Sequence, residues 1–98
     1  MIRYRVIVPP ELREFCAHLS PTIKQKLHAS LRLLETDPHA GKLLARELTG
    51  YRSYAIHPYR VVYRVKASHR IVRIDMVAPR REVYDLLAQQ ILRGKKEL

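Results

Sequence analysis

The residues best suited to chemistry lie in the second half of the chain. Between Tyr51 and Arg81 stand eight basic side chains, Arg52, Arg60, Arg64, Lys66, Arg70, Arg73, Arg80 and Arg81, against a single acid, Asp75. Like charges on neighbouring strands repel and cost stability, so a cluster this one-sided implies a counter-charge brought by a ligand. Arginine predominates, and its planar fork of donors suits the paired oxygens of a phosphate better than an ammonium does. Tyr54 and Tyr84 add ring faces on which unpaired bases can stack. Such a set could cleave RNA without a metal, because the ribose 2′-hydroxyl is a nucleophile already beside the phosphorus. The protein would have to align that attack, stabilise charge on the phosphoryl oxygens and manage two protons. Glu47, His57 and His69 are the conventional acid–base groups nearby; a surface acid and two turn histidines are the alternative readings.

The rest of the composition narrows the field. With 19 Lys and Arg against 9 Asp and Glu, the chain carries a formal +10, which points to nucleic acid, an anionic membrane or an acidic protein as partner. No apolar run approaches the roughly 18 to 20 residues a membrane span needs, so no membrane partner is expected. Met1 to Pro10 alternate with Arg3 and Arg5 instead of forming a signal core, and cytoplasmic residence is expected. The one cysteine, Cys16, excludes an internal disulfide and a cysteine-based metal cluster; beside Leu12, Phe15 and Leu19 it reads as a buried structural thiol. No metal or cofactor is expected. The 98 residues suit a single domain over 1–98 with one modest core.

The elements that must position the basic cluster follow from periodicity. Ile2 to Val8 alternate as a first strand, stopped by Pro9 and Pro10. Leu12, Phe15, Cys16 and Leu19 then form one helical stripe, and Ser20-Pro21 caps a second helix whose inner face carries Ile23, Leu27, Leu31 and Leu34 up to Asp37-Pro38. So short a break makes the pair a helical hairpin laid against a sheet. Leu43, Leu44 and Leu48 are expected to touch the core. Three strands near Tyr51–Ile56, Arg60–Lys66 and Ile71–Ala78 form an antiparallel meander, and Arg81 to Leu92 a final helix ended by Gly94. The fold class expected is α+β.

Sorting the meander by face places Tyr59, Val61, Tyr63 and Val65 on one side and Arg60, Val62, Arg64 and Lys66 on the other. In the last strand Val72, Ile74 and Met76 group together, opposite Ile71, Arg73, Asp75 and Val77. One core face and one cationic face are therefore expected.

This order of elements, with Leu48-Thr49-Gly50-Tyr51-Arg52, Pro58-Tyr59-Arg60-Val61-Val62-Tyr63 and Ala78-Pro79-Arg80-Arg81-Glu82-Val83-Tyr84, resembles RelE-type toxins of the RelE/ParE superfamily over nearly the whole chain. The resemblance implies an endoribonuclease that cuts mRNA on the ribosome and is silenced by an acidic antitoxin. By position it implies a catalytic set of Arg60, Arg80, Tyr84 and Arg52, with Arg64, Lys66, Arg73, Arg81 and Tyr54 left to bind RNA. Tyr54 stands where some ribonuclease members have a second lysine, and Pro79 replaces the histidine many place before the arginine. Two other readings stay open. A ParE-like toxin directed at DNA gyrase shares the fold, although many such relatives lack the tyrosine of the Glu82-Val83-Tyr84 element. A plain nucleic-acid-binding module would need only the basic face.

Overall fold

The computed structural model describes residues 2–96. Its elements run β1 (Arg5–Ile7), α1 (Pro10–Ala17), α2 (Pro21–Thr36), β2 (Lys42–Leu43), a 3₁₀ turn (Arg46–Leu48), β3 (Arg52–Ala55), β4 (Tyr59–Lys66), a second 3₁₀ turn (Ala67–His69), β5 (Ile71–Pro79) and α3 (Val83–Lys96). Ser20 caps α2 as its position suggests, its hydroxyl accepting from the Ile23 amide while Pro21 opens the first turn. The expected α+β class is the one found: three helices packed on a five-stranded sheet.

The sheet order is β1-β5-β4-β3-β2, with β1 parallel to β5 and every other pairing antiparallel. Leu19, Leu27 and Leu34 from the helical hairpin pack on Val61, Tyr63, Val72, Ile74 and Val77. On the opposite face Val83 and Leu87 of α3 bury Val62 and Ala78. Helices therefore cover both faces, and the expected division into one core face and one cationic face is only partly realised. An apolar stripe runs under α3 through the middle of the basic side.

The expected alternation of the last strand also fails at one point. Val62 pairs with Met76 but Tyr63 pairs with Ile74, so Asp75 is an extra residue in β5. Such a bulge reverses the side-chain parity beyond it. Val77 accordingly joins the core with the hairpin, and Met76 packs on the α3 side instead.

Other boundaries shift for local reasons. β1 covers only Arg5–Ile7, because the Tyr4 amide donates to the Glu35 carbonyl of α2 and not to a strand. α1 is short, and Phe15 stays 46% exposed although its stripe predicts burial. The two-residue β2 was not legible as a strand, and its Leu43 is exposed, whereas Leu44 and Leu48 do reach the second core. α3 begins at Val83 and runs through Gly94.

A buried latch ties the connection after α2 to the sheet. The Tyr63 hydroxyl donates to the Pro38 carbonyl and accepts from the Gly41 amide, each at 2.8 Å, while Arg52 Nη1 donates to the Gly41 carbonyl at 2.9 Å. A Cβ on Gly41 would stand 2.6 Å from the Tyr63 hydroxyl, so only glycine lets the chain approach this closely. Tyr63→Phe should cost about 1–3 kcal/mol in denaturant unfolding, because a buried donor and a buried acceptor lose their partner. Burial also pushes the Tyr63 pKa above its ordinary 10.0. The unfolded chain then loses this proton first, so stability is intact below pH 10.0 and falls as pH rises further, and Tyr63→Phe should remove that alkaline loss.

Candidate functional site

Three elements converge on one buried hydroxyl. Ser53 lies on β3 opposite Val62, Arg60 is the second residue of β4, and Tyr84 sits in the first turn of α3. Arg60 Nε donates to Ser53 Oγ at 2.7 Å, and the Tyr84 hydroxyl donates to the same oxygen at 3.2 Å. Ser53 itself is 1% exposed. Because Nε is the donor used, the two terminal amines of Arg60 have no protein partner among the described residues. That is the edge of the guanidinium which binds a phosphate in bidentate fashion.

Arg80 directly follows β5, whose Ala78 pairs with Arg60 in the ladder. Its amide donates to the Pro58 carbonyl at 3.0 Å, which docks the end of β5 on the turn before β4. That turn contains a cis His57-Pro58 peptide bond and is held from the other side by Lys26 of α2, whose Nζ donates to the His57 carbonyl at 2.9 Å. Arg80 and Arg81 are exposed and line a shallow depression with His57, Pro58, Pro79 and Glu82. The start of α3 adds its positive end to these charges.

The remaining basic residues are disposed differently. Arg64 gives Nε and Nη2 to Asp75 at 3.0 and 2.7 Å and stacks over the Tyr51 ring at 5.0 Å. Its pKa is raised, first by the hydrogen bonds to Asp75. Arg73 faces Arg64 across the ladder and lies 3.8 Å from the same carboxylate. Asp75, the bulged residue, thus offsets the repulsion between two like charges that the register places side by side. Lys66 is exposed farther along β4, beside Ile7 and Ile71. Val62, covered by α3, separates this end of the strand from Arg60.

Arg52 and Tyr54 do not join the group. In the β3–β4 ladder they pair with Tyr63 and Val61, whose side chains face the helical hairpin. Arg52 spends its guanidinium on the carbonyls of His39 and Gly41, and Tyr54 packs on the hairpin core. A strand alternates, so placing Ser53 on the α3 side forces both neighbours away. Of the acid–base groups, His57 alone reaches the depression around Arg80. His69 lies in the turn at the other end of β4, its Nδ1 2.9 Å from the Ser68 hydroxyl, and Glu47 is exposed in the first 3₁₀ turn. Cys16 is half-buried rather than buried as its sequence neighbours suggest, and that desolvation still raises its pKa. Ser53 was missed by sequence reasoning; its signal was a small polar residue in a strand at a position that pairs with an apolar one.

The family model of the ParE toxin of type II toxin–antitoxin systems matches residues 10–84. The chain belongs to the RelE/ParE superfamily of type II toxins. No curated protein matches the sequence. The toxin is 31% identical to a chain of the RelBE2 toxin–antitoxin complex from Mycobacterium tuberculosis, with a TM-score of 0.73 over 81% of this chain and 100% of that one. Its fold also matches a mutant of the Escherichia coli toxin RelE in the free state, at 17% identity and a TM-score of 0.73 over 93% of this chain and 97% of that one. The archaeal RelE–RelB complex from Pyrococcus horikoshii gives 22% identity and a TM-score of 0.68, over 82% and 97% of the two chains. The matched segment of the toxin contains Ser53, Arg60, Arg80 and Tyr84.

Because Asp75 holds Arg64 and Arg73, Asp75→Ala should release both toward solvent. Binding to a single-stranded polynucleotide should tighten and its salt dependence steepen by about one to two counterions. Titrations at several salt concentrations measure this, and an unchanged slope would mean that these arginines do not reach the polymer.

Proposed function

We propose that this toxin is a metal-independent endoribonuclease that cuts mRNA on the ribosome, with Arg60, Arg80 and Tyr84 as its working residues. The observation that carries the reading is the free terminal edge of Arg60, aimed by the bond from its Nε to Ser53 and flanked by Tyr84. A guanidinium held this way can bind the scissile phosphate in two places and stabilise the charge that grows on its oxygens as the 2′-hydroxyl attacks. Fixing the arginine beforehand removes a rotamer cost from the barrier. Arg80, exposed beside the start of α3, supplies a second positive charge to the same phosphate or its neighbour. Tyr84, with its hydroxyl turned toward Ser53, offers a ring to stack on a base next to the cut. Arg52 and Tyr54 are left out of this set, since their side chains serve the hairpin face. Arg64, Arg73, Lys66 and Arg81 track the RNA backbone.

The partner that follows is an antitoxin with an acidic surface. Several similar structures are toxin–antitoxin complexes, and a chain of net charge +10 calls for a countercharged protein. No helix among the described residues is long and apolar enough to cross a membrane, in keeping with action in the cytoplasm.

A second reading is a ParE-like toxin that inhibits DNA gyrase. It is favoured by the family model that matches and by a site with neither a histidine before Arg80 nor a lysine on β3.

Purified toxin added to translating ribosomes should cut messages without added metal and leave 5′-hydroxyl ends, while gyrase supercoiling continues. Intact messages with arrested supercoiling would establish the second reading. Arg60→Ala and Arg80→Ala should each lower cleavage by about a hundredfold or more, the scale of losing one donor to a developing charge. Tyr84→Phe, which keeps the ring, should lose much less than Tyr84→Ala; equal losses would move the role of Tyr84 from stacking to proton transfer.

A further inference from the structure

Ser53 is the only buried hydroxyl among the described residues that holds two members of the proposed site at once. Resting on the ribonuclease reading, we propose that Ser53 is a positioning residue, whose Oγ sets the direction of Arg60 toward one phosphate and anchors the Tyr84 ring beside it.

The geometry is specific. Ser53 sits on β3, Arg60 on β4 and Tyr84 on α3, so one oxygen ties together three elements with no other side-chain bond among these residues. A serine oxygen has two lone pairs, and both are used, one by Arg60 at 2.7 Å and one by Tyr84 at 3.2 Å. Arginine has a single N–H on Nε, in the plane of the fork. Tethering that hydrogen fixes the plane and leaves the four terminal N–H groups outward. A carboxylate tether would also cancel the charge, as at Arg64, whose Nε and Nη2 are both taken by Asp75. A carboxylate in place of Ser53 would capture Arg60 in that same way. Alanine would leave the guanidinium to sample its rotamers, and a larger side chain would have to be accommodated at a position only 1% exposed. The hydroxyl orients Arg60 without neutralising it.

A second bond to the same oxygen sets Tyr84. With its proton directed at Ser53, the half-buried ring packs on the core of Val62, Ala78, Val83 and Leu87. Ser53 touches no substrate itself. Because Tyr84 is assigned to stacking through its ring, which keeps its packing without the hydroxyl bond, the effect of Ser53 must appear in the rate of the cleavage step and pass through Arg60.

The test is single-turnover cleavage of a ribosome-bound message by the full chain, as wild type, Ser53→Ala, Arg60→Lys and the double variant. Thermal unfolding and the dissociation constant for a 2′-O-methylated, uncleavable message are measured in parallel. Ser53→Ala should slow cleavage about tenfold to a hundredfold, the range for a reacting group displaced by about an ångström. Binding of the uncleavable message should change less than about threefold, as for an interaction realised in the transition state. In the Arg60→Lys background, which has no Nε fork to aim, Ser53→Ala should add almost nothing. An unchanged rate in Ser53→Ala overturns the proposal. So does a loss that is equally large in the Arg60→Lys background, because the serine would then act on the fold at large. A wild-type toxin that leaves the message intact removes the ribonuclease reading, and this proposal with it; the wild-type arm tells that outcome from the other two.

Discussion

The pairing of β4 with β5, interrupted once at Asp75, is the constraint on which the rest of the molecule depends. These two strands form the longest ladder of the sheet, from Tyr59 opposite Pro79 to Lys66 opposite Ile71. One face of that ladder carries the hairpin core and the other the α3 core. The extra residue reverses parity midway, so Val77 turns inward while Ala78 turns toward α3. Without the bulge, the end of β5 would present the other set of side chains, and neither α3 nor the Arg80 corner could sit beside Arg60. The bulged carboxylate also does electrostatic work, since it lies between Arg64 and Arg73 where the register opposes two cations.

The basic surface is consequently a pair of unequal regions. Near the β4–β5 turn, arginines are paired, stacked and partly neutralised by Asp75 and Tyr51. At the opposite end, Arg60 and Arg80 keep their charge and have no acidic partner among the described residues. Between them, Val62 and Ala78 lie dry beneath Val83 and Leu87. Charge alone therefore does not define a site; what distinguishes Arg60 is a neutral anchor that leaves its useful edge empty. The proposed function divides labour along the same separation, with one region assigned to a polymer backbone and the other to a single phosphate.

Much of this was legible in the sequence. The hairpin, its Ser20-Pro21 break and the three-strand meander follow from strong periodicity and punctuating prolines, and the sequence motifs pointed to the toxin superfamily that the comparisons support. Features that depend on pairing were hidden. A bulge inserts one residue without any change in local composition, so Met76 and Val77 could not be assigned to faces from alternation alone. β2 has two residues, too few to show a period. Arg52 and Tyr54 belonged to the correct strand but to its other side, because the parity of β3 is set by its register with β4 rather than by an apolar pattern of its own. Ser53 offered only the signal of a small polar residue within a strand, and its role emerges where Arg60 and Tyr84 meet at its oxygen.

The central claim is that this toxin acts on RNA through the Arg60 corner. Induced expression in growing cells, with transcriptome-wide mapping of new 5′ ends for wild type and for Arg60→Ala, tests it most directly. Wild type should accumulate 5′-hydroxyl ends within translated messages soon after induction, and a folded Arg60→Ala should not. Growth arrest without new ends, or the same ends from Arg60→Ala, would contradict it.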